Sequence, residues 1–385
     1  MSKWKDGILS DIAEIVMGQS PSGENCSNRQ IGLPLLNGPT EFTINSPIPV
    51  QYTNDPKRES RIGDILFCVR GSTTGKMNWS DQSYAIGRGI AAIRHKNGLH
   101  LNRYIRAIID CNLNELLQGA TGSTFPNVSR TDIGNIQIEI PSVSEQEHIA
   151  EVFSSIDDKI NLLHSNNKTL EELSETLFRQ WLSKLNDRES TTLREYIRVQ
   201  NGYAFKSNDF KDIGNNSILK ITNISFEQVD IHNTQYVDNA VVAGLSEKFI
   251  AKPKSFLIAM TGAEIGKIGI IGKTNKKLYI NQRVGMLIDI LEYSSLLGYL
   301  FLKSAEGQDH IINTCSGSAQ ENISAVGIES MIVPKSSAEE VTMLCKNINP
   351  LFEKIIYNIE QIQQLETLRD TLLPKLIYGT VRIEN

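Results

Sequence analysis

Apolar residues recur along the chain in two different rhythms. In the slower one, Ile156, Ile160, Leu163, Asn167, Leu170, Ser174, Leu177 and Trp181 step by alternating fours and threes. Leu351, Ile355, Asn358, Ile362, Leu365, Arg369, Leu372 and Leu376 do the same, with no proline inside that seam before Pro374. This is the a/d seam of a coiled coil, in which helices wind around a shared apolar stripe. Two amphipathic helices each lying on its own domain would also bury a stripe, but heptads of this length favour a helix partner. Paired antiparallel with their midpoints aligned, the seams set Asn358 opposite Ser174 and Arg369 opposite Leu163, a polar layer of the kind that fixes register at some cost in stability.

The faster rhythm is made of short apolar runs that read as strands, and it comes twice. The runs 65–69 and 256–260 are each followed by a Gly-x-x-x-Gly-Lys loop, "GSTTGK" from Gly71 and "GAEIGK" from Gly262. A second strand-like run follows each loop, "GIAAIR" from Gly89 and "VGMLID" from Val284. Further on, "TGSTFPNVS" from Thr121 parallels "SGSAQENIS" from Ser316, and each leads to a β-like segment ending at Pro141 or Pro334. Behind each proline stands the S-x-x-E spacing of a helix capping box, Ser144 with Glu147 and Ser337 with Glu340. The same order of features in both halves is an internal repeat.

The predicted fold is therefore α+β with a pseudo-twofold repeat: two similar α/β domains and two long helices paired as an antiparallel coiled coil. The expected boundaries are a first domain over 1–143, a central helix over 144–182, a linker over 183–192, a second domain over 193–336, a C-terminal helix over 337–377 and a tail over 378–385. Composition, with 40% hydrophobic and 22% charged residues in 385, is that of an ordinary globular chain.

Catalytic chemistry finds no foothold in these motifs. A P-loop needs four residues between its first glycine and Gly-Lys, then Ser or Thr; Gly71 and Gly75 enclose three, and Met77 follows Lys76. There is no Pro-Pro for an adenine methyltransferase tetrapeptide, and "IGRGIAAI" lacks the third glycine of a dinucleotide fingerprint. No G-x-S-x-G elbow or H-E-x-x-H pair occurs. His95 and His100 fall in a polar stretch that reads as a solvated loop. The five cysteines are scattered, which points to packing residues in a reducing compartment. Without an apolar signal core or a run long enough to span a bilayer, the expectation is a cytoplasmic protein with no metal and no membrane partner.

The net charge of −5 argues against a nucleic-acid binder taken globally. Its distribution changes that picture. Acidic residues gather on the heptad helices at Asp157, Asp158, Glu171, Glu172 and Glu175. Arg58, Arg61, Arg70, Lys76, Arg88 and Arg94 mark one globular part, and Lys267, Lys273, Lys276, Lys277 and Arg283 the other. Phosphate contacts need only a local patch.

"PSVSEQEHIAEVFSSIDDKI" from Pro141, "LEELSETLFRQWL" from Leu170 and above all "LRDTLLPKLIYGTVRI" from Leu368 resemble the conserved regions of specificity subunits of Type I restriction-modification systems. "LSDIAEIVMGQSPSG" from Leu9 and "LREYIRVQNGYAFKS" from Leu193 resemble the starts of the two target-recognition domains. The resemblance covers nearly the whole chain. It implies a non-catalytic subunit that reads an interrupted site on double-stranded DNA and docks two methyltransferase subunits. Those partners would bind S-adenosylmethionine, a cofactor this chain itself does not need, and flip out the target adenine. A nuclease and translocase subunit would join through them. One departure stands out: Pro-x-x-x-Glu-Gln-x-x-Ile is intact at Pro141, Glu145, Gln146 and Ile149, but "KSSAEEVTML" follows Pro334 and reads as having lost the Glu-Gln pair.

By residue type and loop position, the candidate DNA contacts are Arg70, Ser72, Thr73, Lys76 and Arg88 in the first domain and Lys267, Gln282, Arg283, Gln320 and Asn322 in the second, since Arg, Asn and Gln make base-edge contacts most readily. The resemblance marks Glu145, Gln146, Ile149, Phe178, Trp181, Leu373, Lys375 and Leu376 as candidate partner-docking residues; they could instead hold helices and domains together. A helix of about 26 residues spans roughly 39 Å at about 1.5 Å per residue. Against about 3.4 Å per base pair, it would set the half-sites on the order of 11 base pairs apart. A methylation-only assembly, a fused methyltransferase-nuclease partner and a coiled-coil scaffold without DNA are the rival readings; salt-dependent DNA binding separates the last from the others.

Overall fold

A computed structural model of the chain describes residues 4–43, 46–119, 127–185, 188–225, 228–315 and 321–382. Two compact units emerge, one of residues 1–160 with 365–385 and one of residues 161–364.

The first unit is built around an antiparallel four-stranded sheet in the order Ala13–Met17, Ile90–His95, Ile65–Cys68, Met77–Trp79. A second sheet runs Cys26–Ser27, Gln51–Thr53, Leu33–Leu36, Ala85–Ile86, and its last pair is parallel, with Leu36 beside Ile86. The apolar run at Ile65–Cys68 is unbroken because both of its faces are covered. Successive side chains point to opposite faces of a strand, so Ile65 and Phe67 join the core shared with the helix Asn102–Gln118. Leu66 and Cys68 join a separate core with Leu36, Tyr84 and Ile86.

The second unit repeats this plan. Its sheets run Ile197–Asn201, Val284–Asp289, Phe256–Ala259, Ile268–Ile270 and Gln235–Val237, Asn216–Leu219, Lys277–Ile280, Ile250–Ala251, again with one parallel pair, Leu219 beside Ile280. Phe256 and Ile258 face one core, Leu257 and Ala259 the other. Differences fall at the edges: the Cys26–Ser27 edge strand is matched by a single bridge from Lys211 to Tyr236, and the helix Asn102–Gln118 by two, Ser294–Lys303 and Ala305–Thr314.

Both long helices exist, Val143–Ser183 and Ala338–Ile377, and they pair antiparallel. Within the second unit the Asn358 amide donates to Asn167 Oδ1 at 2.8 Å, and within the first Arg369 reaches Asp157 at 3.3 Å. The polar layer is thus real, but Asn358 meets Asn167 rather than Ser174, and Arg369 meets Asp157 rather than Leu163, about a heptad earlier along the first helix. The difference is acceptor supply. Ser174 spends its hydroxyl on Leu170 O of its own helix at 2.8 Å, whereas Asn167 offers Asn358 an amide oxygen.

Two further expectations change at the helix starts. The first capping box is Ser142 with Glu145: Ser142 N–H donates to Glu145 Oε2 at 3.1 Å and Glu145 N–H to Ser142 Oγ at 3.3 Å. Ser144 and Glu147 have the same spacing but lie inside the helix, because Glu145 is held in place by the Trp4 indole N–H at 3.2 Å. The second box, Ser337 with Glu340, forms as expected. Its helix runs straight through Pro350, one residue before the seam begins at Leu351. Proline there leaves the Lys346 carbonyl without a donor, and both residues are exposed, so water can supply one.

Candidate nucleic-acid interface

The two Gly-x-x-x-Gly-Lys loops are the same hairpin turn. In the first unit Gly75 N–H donates to Cys68 O at 2.9 Å and Cys68 N–H to Lys76 O at 2.8 Å; in the second, Gly266 N–H donates to Ala259 O at 2.9 Å and Ala259 N–H to Lys267 O at 2.8 Å. Gly71, Gly75, Gly262 and Gly266 have φ of 93°, 92°, 69° and 82°. That is the left-handed region, which only glycine enters at no cost, and it explains the repeated spacing. Each turn joins strand to strand, not strand to helix as a phosphate-cradling loop would.

Three other segments are laced to each hairpin by main-chain bonds. The turn at 87–90 closes with Ile90 N–H to Gly87 O (3.0 Å), and its counterpart with Val284 N–H to Asn281 O (2.8 Å). Val69 N–H donates to Gly89 O and Met260 N–H to Arg283 O. Val128 N–H reaches Val69 O at 2.9 Å, as Ile323 N–H reaches Met260 O at 3.0 Å. Gly18 N–H bonds Ile90 O and Gly202 N–H bonds Val284 O. A Cβ on Gly18 would stand 2.2 Å from Gly87 O, and one on Gly202 2.2 Å from Asn281 O, so neither site admits a side chain. The lacing makes Arg88 the structural equivalent of Gln282, Arg70 of Thr261 and Asn127 of Asn322.

The sequence candidates gather on these tips. Arg70, Ser72, Lys76 and Arg88 are exposed and Thr73 is half-buried. Among the described residues the side chains of Arg70, Lys76 and Arg88 meet no carboxylate, and the nearby Arg58 and Arg61 are exposed as well. In the second unit Gln282, Arg283 and Asn322 are exposed; Gln320 lies outside the described residues. Arg283 Nη1 donates to Thr261 Oγ1 at 3.3 Å, so its guanidinium sits beside the counterpart of Arg70. Lys267 is ion-paired with Glu264, where the first unit has Thr73 beside Lys76. Asn127 was not among the sequence candidates, although "PNVS" set against "ENIS" already aligned it with Asn322.

Other basic residues serve the fold. Arg94 is buried on Asp64, with contacts of 2.8 and 2.5 Å, and Lys273 pairs with Glu360 of the second long helix at 3.1 Å. His95 is buried rather than solvated. Asn97 N–H donates to its Nδ1 at 2.9 Å, which leaves Nε2 to donate to Gln146 Oε1 at 3.0 Å. Burial holds the His95 pKa below its ordinary value, more than the Gln146 bond raises it.

The candidate docking residues divide by burial. Gln146, Ile149, Phe178 and Leu376 are buried within their own units, Phe178 edge-on to Phe301 at 4.8 Å. Glu145, Trp181 and Leu373 are half-buried and Lys375 is exposed. The Glu-Gln loss is only half a loss. Aligned by their capping boxes, Glu340 takes the place of Glu145 and Val341 that of Gln146; two extra residues after Pro334 hid the match. Arg188, bonded at 2.6 and 2.7 Å, together with the capping box, holds the Glu340 carboxyl down at about 2. Sequence reading missed the apolar side chains left exposed on the long helices: Val143 and Met343 near the helix starts, and further along Leu162, Leu173, Tyr357 and Leu368. Counted from the caps, Leu162 matches Tyr357 and Leu173 matches Leu368.

Among the described residues no group of three or more His, Cys, Asp or Glu could hold a metal ion, and no helix is long and apolar enough to cross a membrane.

Comparison with known proteins agrees with this architecture. The family model for the Type I restriction modification DNA specificity domain matches residues 1–172. A Methanocaldococcus jannaschii protein assigned as the type I restriction enzyme MjaX specificity subunit is 30% identical over 159 residues, which is 41% of this chain and only 37% of that protein. The MjaVIII specificity subunit of the same organism is 21% identical across 99% of this chain and 94% of its own length. The crystal structure of a Type I restriction-modification S subunit from M. genitalium shares the fold, with a TM-score of 0.59 at 17% identity over 97% of this chain and 96% of that one. The doubled domain and the paired helices agree with these similarities: residues 1–172 match the Type I restriction modification DNA specificity domain, and nearly the whole chain is similar to specificity subunits of Type I restriction-modification systems.

Proposed function

We propose that this chain reads a bipartite DNA site, one half with each four-segment tip, and carries two methyltransferase subunits to it. The observation that carries this reading is the tip built twice on the same main-chain frame with different exposed polar side chains. A frame of that kind presents base-reading groups in one geometry while leaving their identity open. Lys76, Ser72 and Thr73 on the first hairpin, with Arg70 and Arg88, form the surface for phosphates and bases in one half-site. Gln282, Arg283 and Asn322 form it in the other, while Lys267 contributes less because Glu264 neutralises it.

Docking of the methyltransferase subunits falls to the outward side of the long helices, on Trp181, Leu373, Lys375 and the matched pairs Leu162 with Tyr357 and Leu173 with Leu368. The partner supplies S-adenosylmethionine and flips the adenine; a nuclease and translocase subunit joins through it. The buried members of the first docking list hold helix to domain instead.

The decisive experiment maps methylated adenines across the genome with and without this gene. An interrupted motif that vanishes on deletion is the expected result, and an unchanged map refutes the reading. Removing matched turns from both long helices should shorten the unread spacer and leave both half-sites as they were. For docking, Leu162→Glu with Tyr357→Glu should abolish co-purification of the methyltransferase, and either one alone should halve its stoichiometry; full recovery with both in place would remove these residues from the interface.

A further inference from the structure

The reading above leaves open which bases the tips prefer, and one turn carries an answer. Gly87-Arg88-Gly89-Ile90 and Asn281-Gln282-Arg283-Val284 are held alike except at the corner N–H, which donates to Ser20 Oγ at 3.2 Å in the first and to Tyr203 O at 2.9 Å in the second. Gly87 N–H donates to Leu36 O at 2.8 Å and Asn281 N–H to Leu219 O at 3.0 Å; Gln19 N–H donates to Ile86 O at 2.8 Å and Tyr203 N–H to Ile280 O at 2.9 Å. Arg88 and Gln282 therefore occupy the same leading corner of the same turn. Both are exposed, and among the described residues neither side chain has a hydrogen-bond or ionic partner.

Their neighbours leave them to act alone. A side chain at Gly89 would stand 2.3 Å from Asn37 O, so nothing competes with Arg88 at its corner. In the second unit Arg283 is turned onto Thr261, so Gln282 is the side chain that projects. A guanidinium fork matches the O6 and N7 acceptors of guanine, whereas a carboxamide matches the N6 donor and N7 acceptor of adenine. We infer that Arg88 reads a guanine in one half-site and that Gln282 reads an adenine in the other, a specificity pair that rests on the bipartite reading proposed above.

The test exchanges the two residues in the full chain, assembled with its methyltransferase, and maps the methylated motif. Arg88→Gln should change a single G·C pair to A·T in one half-site and leave the other half unchanged; Gln282→Arg should change a single A·T pair to G·C in the other half. A variant that still methylates the wild-type motif overturns the assignment for its position. If a variant methylates nothing, the wild-type complex is tested on duplexes carrying 7-deazaguanine or 7-deazaadenine at each purine in turn, which removes N7 alone. A roughly tenfold to hundredfold loss of affinity at one guanine and at one adenine supports the pair. Equal affinity for every substituted duplex overturns it and identifies Arg88 as a phosphate contact. Methylation that does not depend on the chain at all refutes the bipartite reading first, and the assignment with it.

Discussion

The two units share a backbone and differ in how each is fastened to its part of the long helices. In the first, polar clamps stand beside the apolar contacts of Ile149, Phe153 and Leu376: Trp4 donates to Glu145, His95 to Gln146, and Arg94 is buried on Asp64. In the second, Val341 replaces Gln146 in an apolar core. Phe256, Tyr299 and Phe352 pack there with ring centroids 4.8 to 5.6 Å apart. Polar links move outward, to Lys303 on Glu171 at 2.5 Å and to Arg188 on Glu340. Strand pleat and glycine turns dictate the frame, and several side-chain solutions close it.

The sharpest way to break this contrast is to attack each fastening in kind. Phe352→Ala should cost about 3–5 kcal/mol through the cavity it leaves. Asp64→Ala should cost a similar amount, about 3–5 kcal/mol, by leaving the buried Arg94 with only its longer contact to Glu14 at 3.5 Å. Replacing the pair together, Asp64→Leu with Arg94→Met, should recover most of that loss. Denaturant unfolding measures all three, and a double variant as unstable as Asp64→Ala would show that the pair contributes more than mutual compensation.

Next in size are the matched glycines. Gly18→Ala and Gly202→Ala each force a Cβ against a carbonyl oxygen and should each cost about 1–3 kcal/mol. Equal losses sharpen the equivalence of the tips; a loss confined to one unit breaks it.

Acid should separate the units more gently. Because the folded-state pKa of His95 lies below its ordinary 6.5, the stability it confers is full above that value and is lost as pH falls below it. Asp289 occupies the corresponding strand end of the second unit. Hydrogen exchange at pH 7 and pH 5.5 should show weakened protection around 90–102 and at the start of the first long helix. Loss of that difference in His95→Gln would trace it to this imidazole, whereas Gln146→Val, which removes the bond that raises the pKa, should deepen it. The smallest effect concerns DNA: Lys76→Ala should lower the salt dependence of binding by about one phosphate contact, and Lys267→Ala by much less. Equal changes would show that Glu264 releases its lysine on DNA.

Much of the fold was legible because it rests on periodicity. The heptads gave the helix pair, and the repeated Gly-x-x-x-Gly-Lys gave the equivalent hairpins. What escaped depends on partners distant in sequence. Nothing local distinguishes Ser142 with Glu145 from Ser144 with Glu147; the choice is made by Trp4. The burial of His95 depends on Gln146 across the unit, and the helix register on which side chain has an oxygen to spare. For the tips, sequence supplied residue types and the hairpins supplied their place. It could not show that Lys267 is neutralised, that Arg283 bends onto Thr261, or that Arg88 and Gln282 occupy one corner.

The tips are held together by N–H and C=O groups that every residue except proline carries, and the corner side chains contribute nothing to that lacing. Exposed substitutions away from structural contacts usually alter stability by less than about 0.5 kcal/mol. A gene for this protein can therefore wander through many corner residues without passing through an unfolded intermediate. On the DNA-reading function proposed above, that freedom lets new addresses arise by single steps on a scaffold that never has to be rebuilt.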